Sequence, residues 1–77
     1  MDNALPPPHI RLRLLEQAWP MGTMMRKKRG SNWHGSVRGY YTTDQTPMGL
    51  AIESSTELGS VQIYPVDALE KVVAGDN

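Results

Sequence analysis

Residues Gly59-Ser60-Val61-Gln62-Ile63-Tyr64-Pro65-Val66 alternate apolar and polar side chains and stop at a proline. Alternation with a period of two is typical of a β-strand with one buried face, so Val61 and Ile63 are predicted to face the core. The other face carries uncharged polar groups, from Ser60, Gln62 and Tyr64. These groups suit the binding of a planar, amide-bearing ligand better than proton transfer. The alternative is an ordinary solvated face, which is the commoner case in a small antiparallel sheet.

The chain has 77 residues, with no cysteine and no phenylalanine. A chain of this length forms one domain with little stability in reserve. Without cysteines it has no disulfide framework and no thiolate metal site, and its two histidines, His9 and His34, lie far apart in the sequence. We therefore predict no metal site, and we expect self-association to supply the missing stability.

Charge and hydropathy indicate a soluble, cytoplasmic protein. No apolar run has the length of a membrane span, and the N-terminus lacks the features of a signal peptide. The formal net charge is zero, yet four of the eight basic residues form the run Arg26-Lys27-Lys28-Arg29. Such a run could bind nucleic acid or the phosphates of a cofactor, or it could be a solvated loop.

Two regions differ in composition. Residues 1–19 contain Leu5-Pro6-Pro7-Pro8 and are predicted to form a flexible N-terminal tail, because the prolines favour an extended chain. The segment after them could form a helical turn through Glu16, Gln17 and Ala18, but it is too short to be stable unless it docks on the domain. Residues 20–77 show short strand patterns separated by glycines and turns. We predict one domain there, with its last few residues frayed.

The strand patterns indicate an all-β fold. Strands are predicted at 33–41, 50–53, 60–64 and 70–73, with a helical turn at 66–69 and a basic loop ahead of the second of about five strands. Five short strands in so few residues favour a five-stranded SH3-like barrel. Its predicted core consists of Trp33, Val37, Leu50, Ile52, Val61, Ile63, Val66, Leu69 and Val72.

No catalytic motif stands out from the residues alone. The chain has neither G-x-G-x-x-G nor G-x-x-x-x-G-K-[ST], so a dinucleotide would not bind in the Rossmann or P-loop manner. His34 has no partners spaced as in a triad, and the carboxylates are isolated on turns and strand ends. The residues thus indicate a small oligomeric barrel with one cationic and one polar-amide surface.

From Met21-Gly22 to about Val72, roughly two-thirds of its length, the chain closely resembles the type II dihydrofolate reductases, which are insensitive to trimethoprim. The matching positions are Arg26-Lys27-Lys28, Gly30, Trp33, Gly35, Gly39, Tyr41, Thr43, Thr46-Pro47, Gly49, Ala51, Glu53-Ser54, Gly59 through Val66, and Ala68-Leu69-Glu70.

The resemblance implies an SH3-like barrel that forms a homotetramer with 222 symmetry around one central pore, where NADPH reduces dihydrofolate to tetrahydrofolate. It implies catalytic roles for Gln62, Ile63 and Tyr64. It implies NADPH contacts from Lys27, Ser60, Val61, Gln62, Ile63 and Tyr64, and dihydrofolate contacts from Lys27, Gln62 and Ile63. The Ile63 backbone would hold the nicotinamide carboxamide, and Lys27 would face the cofactor phosphates and the folate glutamate. The resemblance also implies that the protein confers trimethoprim resistance and acts in one-carbon metabolism. It implies no nucleic-acid partner and no membrane partner.

Two positions and one segment depart from the family pattern. The family has tryptophan where Tyr40 stands and an interface histidine where Glu57 stands, and residues 29–32 are usually smaller and less basic. In familiar members the histidine causes acid dissociation to dimers, so Glu57 predicts a weaker or reversed effect. The alternative to a reductase is a non-catalytic SH3-like module that binds nucleic acid or peptide through Arg26 to Arg29, Trp33 and Tyr64.

Overall fold

Five short strands form one antiparallel sheet in the computed structural model, which describes residues 5–73. The elements in chain order are helix α1 (Pro8–Ala18), β1 (Met24–Lys27), β2 (His34–Tyr41), β3 (Gly49–Ser54), β4 (Val61–Pro65), a 3-10 turn (Val66–Ala68) and β5 (Leu69–Lys71). The strand order is β4-β3-β2-β1-β5. The predicted all-β class is therefore confirmed, with one helix added within the described residues. No helix among them is long and apolar enough to cross a membrane.

The strand predictions agree closely with the structure except at β1. The predicted segments correspond to β2, β3, β4, the 3-10 turn and β5, with ends shifted by one or two residues. The basic run does not form a loop throughout, because Arg26 and Lys27 belong to β1 and pair with β2 and β5. The sequence predicts a first strand ahead of the basic loop but gives it no bounds, because two of the four residues of β1 are charged and show no clear alternation with the other two. The expected fraying of the last few residues concerns 74–77, which lie outside the described part of the chain.

The hydrophobic core lies between the sheet and helix α1. Its buried members are Leu15, Met25, Val37, Leu50, Ile52 and Leu69, and Trp33 and Val66 pack partly against them. The prediction that Val61, Ile63 and Val72 belong to this core is wrong, since Val61 is 51% and Ile63 62% exposed. Alternation shows that two faces of a strand differ, but it does not show which face packs inside the same chain.

The pairing of β4 with β3 shows which face is inside. Buried Leu50 and Ile52 stand opposite Tyr64 and Gln62, and directly opposite residues share a face of the sheet. The polar face of β4 therefore continues the core face of β3. The apolar face of β4, expected to be buried, is exposed.

Helix α1 occupies much of the segment for which an extended tail is predicted. Pro8 is its first residue, where the missing N–H costs nothing, and the N–H groups of Ile10 and Arg11 donate to the Pro7 carbonyl. Leu15 is fully buried on the sheet, which supplies the partner that a short helix needs. The segment after the prolines is therefore helical and not extended. The predicted domain boundary between residues 19 and 20 stays a prediction.

Two hydrogen bonds attach the helix to β2 and the residue after it. Tyr40 donates its hydroxyl to the Trp19 carbonyl at 2.7 Å, and Arg11 Nε donates to Thr42 Oγ1 at 3.0 Å. Burial, and secondarily the charge of Glu16, raises the pKa of Tyr40 above its ordinary 10.0. The phenol at position 40 therefore serves contacts inside the chain, between the helix and the sheet.

Candidate functional site

Strand β4 is an edge strand whose free side presents backbone groups at Ile63. The Ser54 N–H donates to the Ser60 carbonyl at 2.9 Å, and the Val66 N–H donates to the Met48 carbonyl at 3.0 Å. Because hydrogen-bonded and non-hydrogen-bonded pairs alternate in an antiparallel ladder, the backbone of Gln62 and Tyr64 bonds to β3. The N–H and C=O of Ile63 point away from β3, where no strand of residues 5–73 pairs with them. This edge can both donate to and accept from one planar amide.

Four side chains meet beside that strand, and we call them the Tyr64 cluster: Lys27, Trp33, Gln62 and Tyr64. The Tyr64 hydroxyl donates to Gln62 Oε1. The Trp33 and Tyr64 rings lie 5.5 Å apart between centroids at 55°, and the Lys27 ammonium nitrogen lies 5.6 Å from the Tyr64 ring centroid. Both contacts are in the range of favourable aromatic and cation–π geometry. Together they fix the direction of the tyrosine ring.

The cluster requires a curved sheet. β1 and β4 are separated by β2 and β3 in the strand order, so Lys27 and Tyr64 would be about 14 Å apart across a flat sheet with strands 4.7 Å apart. A lysine side chain spans only part of that distance. The sheet therefore bends toward its core face and brings the basic end of β1 to the polar face of β4.

The Tyr64 cluster contains one cation and no carboxylate or imidazole. Its hydrogen-bonding groups are an amide and a phenol, and the acidic partners in the nearby ion pairs, Glu70 and Glu53, are bound to Arg26 and Arg38. No group of three or more His, Asp or Glu within residues 5–73 could hold a metal ion. Such a site can orient an uncharged planar group beside a cation, and it has no carboxyl or imidazole group, the side chains that most often transfer protons in enzymes.

The structure brings together some of the predicted site residues and separates others. The side chains of Lys27, Gln62 and Tyr64 meet, whereas Val61 and Ile63 are exposed on the opposite face of β4. Ser60 precedes the strand, and its carbonyl is bound to β3. Sequence reasoning had placed Trp33 in the core or in a nucleic-acid patch. Its position four residues after the basic run is the only sequence signal that it lies beside Lys27.

A network around Glu53 holds the turn that leads into β4. Glu53 Oε2 accepts from the Gly59 N–H at 2.6 Å, and Glu53 Oε1 accepts from Arg38 Nε at 2.9 Å. Gly59 has a φ of +90°, which favours glycine there. The Gly59 hydrogen bond, and then the Arg38 bond, lowers the pKa of Glu53 below its ordinary 4.5.

This lowered pKa predicts a dependence of stability on pH. The folded state favours ionised Glu53, so its contribution is complete above the ordinary pKa of 4.5 and is lost as pH falls through the lower folded value. We expect the free energy of unfolding to fall more steeply below about pH 4.5 in the wild type than in Glu53→Gln. Urea unfolding at a series of pH values measures both slopes. Equal slopes would contradict the expected role of this carboxylate.

Comparisons with known proteins agree with this geometry. A family model described as R67 dihydrofolate reductase matches residues 12–73. Two curated relatives from Escherichia coli, both named dihydrofolate reductase type 2, are 54% and 56% identical to this chain over 52 residues, which are 68% of this chain and 67% of each relative. The resemblance drawn from the sequence is confirmed, and the chain belongs to the R67 dihydrofolate reductase family.

Proposed function

We propose that this protein is a cytoplasmic enzyme that uses NADPH to reduce dihydrofolate to tetrahydrofolate, and that trimethoprim does not inhibit it. Family membership supports the reaction. The observation that supports placing the reaction at this site is that the Tyr64 cluster lies beside the free backbone edge at Ile63. A nucleic-acid or peptide module is the weaker proposal, because the cluster has one cation and its amide and phenol are bonded to each other.

The residues fit a nicotinamide cofactor. A carboxamide has one acceptor and two donors, and the outward N–H and C=O of Ile63 match it without any side chain. NADPH supplies the hydride when it is bound. Gln62 and Tyr64 would border the ring site, and Ser60 and Val61 would flank it along the same strand. Lys27 would face phosphate on the cofactor and carboxylate on dihydrofolate.

The proposed reaction depends on positioning. No carboxyl or imidazole group lies in the Tyr64 cluster, so bringing the two planar rings together in a reactive arrangement would supply most of the rate, and the proton would come from water. We expect the rate to rise on acidification, because the substrate itself becomes protonated. The protein contributes orientation through the Ile63 backbone and the fixed Tyr64 ring.

We propose that the curved sheet is an SH3-like barrel and that four copies form one pore with 222 symmetry. Support comes from the exposed Val61 and Ile63 on β4 and from Leu58 in the preceding turn, which is 85% exposed. Apolar side chains at this density on so small a chain favour burial against other copies. In such an assembly each Lys27 would add to the positive potential at the pore mouths, which attracts two anionic ligands.

Lys27 offers a test of ligand attraction. We expect Lys27→Gln to raise the KM for both NADPH and dihydrofolate by about tenfold at low salt, because each ligand loses a charge-assisted contact. Arg13→Gln on helix α1 removes the same charge from an exposed position outside the Tyr64 cluster and should leave both KM values unchanged. Steady-state kinetics at two salt concentrations measures the effect. If Lys27→Gln had the same KM as the wild type for both ligands, the role of Lys27 would be contradicted.

Glu57 offers a test of assembly. It lies exposed in the turn before β4, where its N–H donates to Ser54 Oγ. A carboxylate loses charge on acidification, whereas a histidine gains charge. We therefore expect the wild-type tetramer to persist at pH 5 and the tetramer of Glu57→His to dissociate to dimers at that pH. Sedimentation velocity at pH 8 and pH 5 measures the assembly state of both proteins. Complete conversion of the wild type to dimers at pH 5 would overturn this expectation.

The reaction itself is tested by following NADPH oxidation by the purified protein in the presence of dihydrofolate, with and without a large excess of trimethoprim. We expect equal rates in both conditions. Absence of turnover by the folded protein, or inhibition by trimethoprim, would contradict the proposed function.

A further inference from the structure

One carboxylate near the end of β3 fastens the loop that leads into β4. Glu53 Oε2 accepts from the Gly59 N–H at 2.6 Å, and Glu53 Oε1 accepts from Arg38 Nε at 2.9 Å. The Glu53 side chain is only 20% exposed, and the residue stands opposite Val61 in the register of β3 with β4. A single side chain thus joins β2, β3 and the loop before β4. We call Arg38, Glu53 and Gly59 the β4 clamp.

Two departures from regular strand geometry bring the partners of the clamp together. The pairing of β2 with β3 shifts between Val37 and Gly39, which leaves Arg38 as the additional residue of a β-bulge. A bulge changes the direction of a side chain, and bulges are common beside active sites. On the other side of Glu53, Gly59 has a φ of +90°, a conformation that strains most other residues. An irregular position in each of two neighbouring segments therefore serves the same carboxylate.

Strand β4 depends on the segments at its ends more than the three central strands do. Among residues 5–73, β1, β2 and β3 each pair with two strands, whereas β4 pairs with β3 alone. The exposed Val61 and Ile63 side chains add little packing inside the chain. A segment with few internal contacts opens locally at a low cost in free energy. The position of β4 is therefore set by its ladder with β3 and by the loops that enter and leave it.

The clamp secures the end of the ladder that is nearest to the loop. The Ser54 N–H donates to the Ser60 carbonyl at 2.9 Å, and the backbone of Gln62 forms the next hydrogen-bonded pair. Gly59 immediately precedes the first of these bonds. If the Gly59 N–H is released, the ladder opens from Ser60 toward Gln62, and the free backbone edge at Ile63 moves with it. A displacement of about 1 Å in groups that position a reaction lowers its rate by up to about a hundredfold.

We propose that Glu53 is a positioning residue for dihydrofolate reduction, which acts through the β4 clamp to hold the backbone edge at Ile63 in place. This inference rests on the proposed function and adds to it a residue that lies outside the Tyr64 cluster and has no proposed contact with either ligand. Arg38 has the smaller part, because it bonds to the carboxylate and acts on the loop only through it.

Glu53→Gln tests the proposal, because the neutral amide loses the charge-assisted bonds and presents N–H groups to one of two donors, Arg38 or Gly59. We expect kcat for dihydrofolate reduction to fall about tenfold, with the KM for each ligand within about twofold of the wild-type value. Arg38→Gln should lower kcat by about threefold. The double variant should be no slower than Glu53→Gln, since both changes act on one bond network. Sedimentation in the assay buffer shows whether each variant keeps the assembly state of the wild type.

Glu70→Gln is the matched control. Glu70 also binds an arginine, since Arg26 Nε donates to Glu70 Oε2 at 2.7 Å, but it accepts no backbone N–H among residues 5–73. The same charge is removed without release of the loop, so Glu70→Gln should keep the wild-type kcat. Amide hydrogen exchange measured by NMR gives a second readout that needs no turnover. We expect the amide of Gln62 to exchange about tenfold faster in Glu53→Gln than in the wild type or in Glu70→Gln.

Three kinetic outcomes would overturn the proposal and leave the reductase function standing. These are a wild-type kcat in Glu53→Gln, an equal loss in Glu70→Gln, and a loss in Glu53→Gln that follows its dissociation. If the wild type itself shows no turnover, the proposed function fails and the catalytic consequence of the clamp fails with it. Hydrogen exchange still tests the clamp in that case, because unchanged exchange at Gln62 would mean that Glu53 does not hold β4.

Discussion

Tyr64→Phe is expected to lower kcat/KM for dihydrofolate reduction on the order of a hundredfold while the protein stays folded. The substitution removes one hydroxyl, which donates to Gln62 Oε1. Without that bond the Gln62 amide is free to rotate, and small misplacements of groups that position a reaction have effects of this size. The ring contacts with Trp33 and Lys27 remain, so the strand keeps its packing.

Tyr41→Phe is the matched control, because Tyr41 lies on β2 and its hydroxyl forms no side-chain hydrogen bond within residues 5–73. It should retain wild-type kinetics. Gln62→Ala, which removes the other partner of the Tyr64 bond, should lose activity to a similar extent, and the double variant should be little worse than either single one. Wild-type kinetics for Tyr64→Phe, or strictly additive losses, would contradict a joint role for Gln62 and Tyr64.

Leu15→Ala is expected to destabilise the protein by about 2–5 kcal/mol, because it leaves a cavity in the core. Leu15 is fully buried although it belongs to helix α1, outside the predicted barrel. Losses of this size approach the whole stability of many small domains. The helix would then be required for the fold of this chain and not an appendage to it.

Leu14→Ala is the control for that prediction. Leu14 is the adjacent residue on the same helix and is 42% exposed, so the same substitution should change stability by about 1 kcal/mol or less. Urea unfolding at one fixed protein concentration measures both variants. Equal stability of the two would mean that the helix does not pack on the sheet as described.

The sequence predicted the strands better than it predicted their inner and outer faces. β3 and β4 show alternation and lie between turns, and β2 is rich in strand-forming residues with a glycine near each end, so the positions of these three strands were predictable. The exposure of Val61 and Ile63 was not, because period-2 alternation is the same for a strand that packs inside one chain and for a strand whose apolar face is exposed. The core face of β4 is identified only by the register in which β4 pairs with β3, where its residues stand opposite buried Leu50 and Ile52.

The helix and the site were predictable to different degrees. Helix α1 has no side-chain N-cap and begins at the last of three prolines, so its local sequence gives a weak signal. Its stability comes from the burial of Leu15 against residues distant in sequence. Gln62 and Tyr64 were predicted as site residues from their strand. The contact of Tyr64 with Lys27 depends on the curvature of a sheet in which β2 and β3 separate β1 from β4, and no local sequence pattern encodes that curvature.

The most direct test of the central proposal, that assembly of four chains completes the reductase site, is to measure sedimentation and NADPH-dependent dihydrofolate reduction in the same buffer over a range of protein concentrations, with trimethoprim in excess. We expect the specific activity to follow the fraction of tetramer and to vanish as the protein dissociates. Full activity in a monomer, or a stable tetramer without activity, would contradict the proposal.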